Sequence, residues 1–447
     1  MADKKVCVIG GGLAGTEAAW QLAQRGIRVQ LFEMRPKRKT GAHHTDKLSE
    51  LVCSNSLGSF DNKNASALLK AEMRALNSLI IETAWKCKVP AGGALAVDRE
   101  SFSAAVNDAI TNHPLITLER EEMERIPDDV VTIVATGPLT SPALVESIQQ
   151  TTGEEQLHFF DAAAPILTRE SINMDIAFEK SRYDKGDGVY INCPMDKEQY
   201  LKFWQALIDS ERVELKDFEK DTPYFESCLP VEVIASRGVD TLRYGPLKPV
   251  GLRDPRTQKN AYAVVQLRQD NAAAKLYNIV GFQTNLKWPE QKRIFTMIPG
   301  LENAEFVRLG VMHRNTYLNS PVILSPQLNL RKKENVFFAG QLTGVEGYSE
   351  STATGIIAAI NAAQLVDGKE LLTLPGDCMI GALIRYITSA DPKHFQPINS
   401  NWGIIDTPPE LMKLDKIARR EEVRKLAMKV VEKIAAEYSV QTGVAAV

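Results

Sequence analysis

The chain has 447 residues, with 53 Lys and Arg against 56 Asp and Glu for a formal net charge of −3, and 44% of its residues are hydrophobic. That is globular composition, with core material for two or three domains, or for one domain carrying a large insertion. The charge balance excludes a strongly basic nucleic-acid coat, so any RNA or DNA contact must be a local patch, and the lack of any run of about 18 apolar residues excludes a membrane-spanning helix.

The opening MADKKVCVIGGG enters a strand at once, with no basic-then-apolar leader. Val6-Cys7-Val8-Ile9 reads as a buried parallel strand. Gly10-Gly11-Gly12-Leu13-Ala14-Gly15 follows, then a helical pattern that stops at Gly26, then the strand Ile27–Glu33. The spacing Gly10-x-Gly12-x-x-Gly15, set between a strand and a helix, is a dinucleotide fingerprint. Its first glycine makes the turn, the second admits a pyrophosphate and the third lets helix pack on strand. Glu33, at the end of the second strand, is placed to accept hydrogen bonds from a ribose hydroxyl.

Residues 65–86 and 98–112 read as helices, and Val130–Ala135 as another buried strand, closed by Thr136-Gly137-Pro138. From about 160 to 300 short alternating stretches such as AYAVVQLRQ and LYNIVGFQT predict a mixed, mostly antiparallel insertion. A last strand, Asn335–Gly340, leads into a helix from about 350 to 366. A tail helix over about 411–438 has apolar positions at Leu411, Leu414, Ile417, Ala418, Val423, Leu426, Val430, Val431 and Ile434. The expected architecture is α/β: a Rossmann-like FAD-binding domain of the two-element flavoprotein type, carrying a large mixed, mostly antiparallel α+β insertion. The expected boundaries are 1–160 for the first part, 161–305 for the insertion, and 306–447 for the second part with C-terminal helices.

Two later segments favour FAD over NAD. Ala135-Thr136-Gly137 resembles the ATG element of two-domain flavoproteins, and Phe337-Phe338-Ala339-Gly340-Gln341 resembles their second flavin contact. No second GxGxxG follows a strand, so a nicotinamide cofactor is expected to bind only transiently.

The six cysteines, at 7, 53, 87, 193, 228 and 378, form no CxxC pair. Free thiols in a reducing cytoplasm are expected, and no metal site. His43-His44 reads as a loop over the flavin in preference to a metal site. The run Arg35-Pro36-Lys37-Arg38-Lys39 reads equally as an RNA phosphate contact or as a solvated charge run. The tail helix carries eight basic against five acidic residues from Lys413 to Glu437, which suits either a phosphate track or a solvated amphipathic helix.

The blocks HHTDKLSELVCSNSLGS, SRYDKGDGVYINCPM, LYNIVGFQTNLKWPEQKR, PGLENAEFVRLGVMHRNTYLNSP and FFAGQLTGVEGYSES carry a further resemblance. From about residue 5 to about 405 the chain resembles the folate- and FAD-dependent RNA uracil-C5 methyltransferases, which make 5-methyluridine in the T-loop of tRNA. The resemblance implies FAD as cofactor, 5,10-methylenetetrahydrofolate as one-carbon donor, NAD(P)H as reductant and tRNA as partner. Neither a membrane nor an obligate protein partner is implied. Cys228 would add to uracil C6, which makes C5 nucleophilic. Cys53 would be a second functional thiol, His313 would stack on the folate pterin, and Tyr348 would contact flavin or folate or simply pack. The same chemistry on ribosomal RNA is equally compatible with these residues. A flavin disulfide oxidoreductase using Cys53 and Cys228 would need a CxxC-type pair and a second nucleotide domain, and an FAD-stabilised RNA-binding scaffold would tolerate loss of Cys228.

Overall fold

The computed structural model describes residues 4–154, 157–162, 164–184, 190–213, 229–310 and 312–438, with the backbone alone at 157–162 and 312–314. Two six-stranded sheets organise the described residues. The first runs, edge to edge, through Asn329–Leu330, Lys333–Phe338, Val131–Val134, β1 (Lys5–Ile9), β2 (Arg28–Phe32) and Ile116–Glu119. All its pairings are parallel except that of the short edge strand Asn329–Leu330.

β1 shows why this sheet must be covered twice. Successive side chains of a strand point to opposite faces. Val6 and Val8 join one apolar cluster, with Leu22 of the following helix α1 (Leu13–Gln24) and Ile357 of the helix Tyr348–Val366. Cys7 and Ile9 join another, with Leu144 and Ile148 of the helix Pro142–Thr152. The four β1 side chains are 0–3% exposed, and each contributes roughly 1.5–3 kcal/mol if fully buried. Tyr348–Val366 lies so close on α1 that a side chain at Gly355 would meet Ala14 O at 2.4 Å.

The second sheet is wholly antiparallel, in the order Phe178–Lys180, Tyr190–Met195, Ala263–Gln269, Leu276–Ile279, Ile166–Thr168, Phe306–Arg308. It has its own core, with Phe203, Phe282, Phe295 and Tyr200 among the buried residues. An antiparallel ribbon of Leu157–Ala162 and Met312–Tyr317 lies just before and just after this sheet in the chain. No described helix is long and apolar enough to cross a membrane.

Two elements depart from the sequence reading. The helix expected over 65–86 is two helices, Ala65–Ala75 and Leu79–Lys86, broken where Asn77 takes a φ of 58°. Ser78 caps the second helix by accepting the Ile81 amide at 3.2 Å, and Glu17 of α1 adds to that cap. Its buried carboxyl group accepts from the Ser78 hydroxyl at 2.8 Å and from the Ile80 and Leu79 amides at 3.0 and 3.3 Å. The tail helix begins at Lys416, after a short 3₁₀ turn over Pro409–Lys413. Its buried face is Val423, Ala427, Val431 and Ile434, while Leu414, Ile417 and Leu426 of the expected face are exposed. Ala427 lies one turn from both Val423 and Val431 and contributes little to a hydrophobic pattern, which is why the face was misplaced.

Candidate active site

The glycines of the first turn divide their work as spacing requires. Gly10 has a φ of +109°, and a side chain there would come within 2.6 Å of Ala135 O. At Gly15 an added carbon would lie 1.8 Å from Gly10 O, so this glycine lets α1 press onto the β1 turn. Gly12, the N-cap of α1, faces open space and provides no capping side chain. The helix therefore presents unpaired N–H groups and its positive dipole end to whatever binds there.

These residues open onto a solvent-connected cleft of about 1050 Å³ at the C-terminal edge of the parallel sheet. Of the residues expected at the cofactor, Gly10, Gly12, Glu33, Ala135, Thr136, Gly137, Gly340, Gln341 and Tyr348 all line it. Gly15 acts from beneath, through packing. Four separated stretches of chain thus converge because the parallel strands that precede them end at one edge.

Glu33 is 6% exposed. One oxygen accepts the Gly11 amide at 2.9 Å, and the other accepts the Arg35 amide at 3.0 Å and its Nε at 2.9 Å. Burial alone would raise this carboxyl, but Arg35 and the two amides hold it below the usual carboxylate range. Arg35, 2% exposed, also reaches Glu50 at 3.2 Å. Glu50 in turn accepts the His44 and Thr45 amides, at 2.8 and 3.0 Å. A buried Glu33–Arg35–Glu50 chain thus ties the acid at the cleft to the 43–45 loop, and His43 of that loop also lines the cleft. Gly11 and Arg35 were missed by the fingerprint, which places no constraint on those positions. Gly11 has its own reason to be glycine, because a side chain there would meet Leu48 at 2.5 Å.

Cys53 is half-buried in the loop before Ser56–Ser59, next to Val52, which lines the cleft. The Cys53 and Ser54 amides donate to the Tyr348 hydroxyl at 2.9 and 3.2 Å. Tyr348 therefore lines the cleft and also holds the Cys53 loop, and burial pushes its hydroxyl well above the ordinary phenol range. Cys228 lies outside the described residues. His313 sits on the strand Met312–Tyr317, in register with Asp161. Cys7, Cys193 and Cys378 are buried, and burial pushes the Cys7 thiol up to about 11. Such thiols are inert at neutral pH. Among the described residues no cluster of His, Cys, Asp and Glu could hold a metal.

The cradle fits a dinucleotide on structural grounds: room at Gly12, an uncapped helix N-terminus, and a carboxylate beyond the second strand.

Residues 5–370 match the family model described as glucose inhibited division protein A. A methylenetetrahydrofolate–tRNA-(uracil-5-)-methyltransferase TrmFO of Brevibacillus brevis is 57% identical over 437 residues, covering 98% of this chain and 99% of that relative. A relative of the same name from Anoxybacillus flavithermus is 58% identical over 428 residues, covering 96% and 98%. The solved structure of Aquifex aeolicus GidA superposes with a TM-score of 0.70 at 17% identity, covering 99% of this chain and 75% of that one, a likeness of fold. The chain belongs to the glucose inhibited division protein A family and, within it, to the methylenetetrahydrofolate–tRNA-(uracil-5-)-methyltransferases.

Proposed function

We infer that this chain methylates C5 of a uracil in tRNA, with 5,10-methylenetetrahydrofolate as one-carbon donor and FAD in the cleft. The observation that carries this reading is end-to-end identity of 57% to a relative named for that reaction. More finely, we infer a T-loop uridine as target, 5-methyluridine as product, NADPH or NADH as reductant, and a cytoplasmic setting where these substrates meet.

Bound in the cleft, FAD would supply redox chemistry and relay the one-carbon unit between folate and base. The remaining work belongs to the chain. The N–H groups opening α1 hold the pyrophosphate, and Glu33 accepts from the adenosine ribose. The segments around Gly137 and Gly340–Gln341, with Tyr348, hold the flavin side. The target base must leave its stack to be reached.

Uracil C5 is a poor nucleophile. A thiolate at Cys228 adding to C6 converts the ring into an enolate that reacts at C5; loss of the C5 proton then expels the thiolate from C6 and restores the C5–C6 double bond. His313 offers a flat imidazole for the pterin, and Cys53 works beside the flavin or takes the proton.

The test combines purified protein with tRNA. It should be yellow, and it should form 5-methyluridine only with methylenetetrahydrofolate and a nicotinamide reductant. Cys228→Ala should retain the yellow colour and form no product. Methylation supported by S-adenosylmethionine alone would contradict the donor assignment.

A further inference from the structure

The loop that carries Cys53 is gripped by three arginines from distant parts of the chain. Arg99 Nη1 donates to Leu51 O, and Arg308 Nη2 donates to Val52 O. Arg268 Nη2 donates to Ser54 Oγ at 2.8 Å. Tyr348 accepts the Cys53 and Ser54 amides on the same stretch, and Asn55 Nδ2 donates to Val97 O and Gln269 O at 3.0 and 3.1 Å. Leu51 to Ser54 are thus each held by a named side chain, and Asn55 anchors the end of the stretch through its own.

The charges do not balance. Asp270 is 3% exposed and pairs with Arg99 at 3.0 Å. Arg268 and Arg308 have no ion pair among the described residues, and the buried Nε of Arg268 has no hydrogen-bond partner there. Among the described residues only Arg99 of the three is ion-paired. Burial draws Arg268 and Arg308 below the ordinary arginine range, while Asp270 and Cys53 act in the opposite direction. Tyr190 and Tyr348 also act on these groups, and burial keeps the Tyr348 hydroxyl protonated. Asp98, Glu100 and His44 line one pocket together with Asp270, Arg99 and Arg308, and none of the three is ion-paired to Arg268 or Arg308 among the described residues. Partly buried positive charge in excess of its ion pairs favours an anion beside it.

We propose that Arg268 and Arg308, with Arg99 steadied by Asp270, are positioning residues that hold Cys53 in place and keep its sulfur as the thiolate near neutral pH. The step is ionisation alone, with the thiol proton leaving to solvent. The inference rests on the functional reading only in giving that thiolate a task.

The test is the rate of iodoacetamide alkylation at Cys53 against pH, read by peptide mass spectrometry on the reduced, FAD-loaded full chain. The wild type should show a midpoint below the ~8.5 of a free thiol. Arg268→Gln and Arg308→Gln should each raise it by about one unit or more, slowing alkylation at pH 7 about tenfold, while Arg308→Lys recovers part of the shift. Asp270→Asn should move the midpoint the other way, and it decides the matter if a Gln variant loses FAD. A wild-type midpoint at or above ~8.5, or no movement in flavin-retaining variants, overturns the proposal. Because the readout needs no turnover, the two readings fail separately. Shifted alkylation without tRNA methylation sinks the functional reading alone, and methylation with an ordinary Cys53 sinks this one alone.

Discussion

At Gly15 a single methyl group would have to fit 1.8 Å from a carbonyl oxygen. Gly15→Ala must push α1 off the β1 turn, at a cost of about 3 kcal/mol or more. The purified variant should lose flavin absorbance and melt at lower temperature; wild-type flavin content would show the close contact to be dispensable. Glu33 yields a pH prediction. Its folded carboxyl lies below its unfolded value, so its contribution to stability is present above the unfolded carboxylate pKa of ~4.3 and is lost as pH falls through the folded value. Glu33→Gln should therefore bind FAD more weakly, by about tenfold, and should lose part of the acid-side slope of thermal stability. An unchanged acid limb would mean the Arg35 contacts add nothing. The glycine pattern and its acid were readable in the sequence because spacing alone carries their constraint. Arg35 and Gly11 were not, because their role depends on where Glu33 folds back.

At the scale of elements, buried carboxyl groups recur as helix caps. Glu17 caps Leu79–Lys86, and Glu72 accepts the Met379 and Ile380 amides at 2.7 and 2.9 Å, opening the helix Met379–Ser389. Burial pushes the Glu72 carboxyl up to about 8, with Asp377 adding to the effect against the two amides and Arg424. For a carboxyl raised on folding, stability is full below the unfolded value of ~4.3 and is lost as pH rises through the folded one. The melting temperature should therefore decline from about pH 5 to about 8 in the wild type, and Glu72→Gln should flatten that decline. An identical slope in both would remove Glu72 as its source. Glu17→Ala removes the acceptor shared by the Gln21 amide, the Ser78 hydroxyl and the Leu79 and Ile80 amides and should cost about 2–3 kcal/mol in denaturant unfolding. Strands were legible from short apolar runs. The break at Asn77 has a local signal in Ser78, which caps the second helix by accepting the Ile81 amide; the added acceptor from α1, far away in sequence, has none.

Across the whole molecule, the Cys53 loop is assembled from distant parts of the chain: Arg99 from the first part, Arg268 and Arg308 from the second sheet, and Tyr348 from the start of the helix Tyr348–Val366. The antiparallel sheet is therefore built into the site. We propose that the insertion lies between the two strands of the 157–162 and 312–317 ribbon. Phe306–Arg308 would then belong with it, through pairing to Ile166–Thr168. Sequence reading found the α/β class and the antiparallel middle because each has its own periodicity. It could not find the arginine grip, since pairings across hundreds of residues leave no trace in spacing. The central claim is that this fold carries carbon from folate to a tRNA base. Its most direct measurement is mass mapping of tRNA after reaction with methylenetetrahydrofolate isotopically labelled in its methylene group. The label should appear in the C5 methyl of one T-loop uridine, and labelled folate that leaves every uridine unlabelled while methylation proceeds would contradict the account.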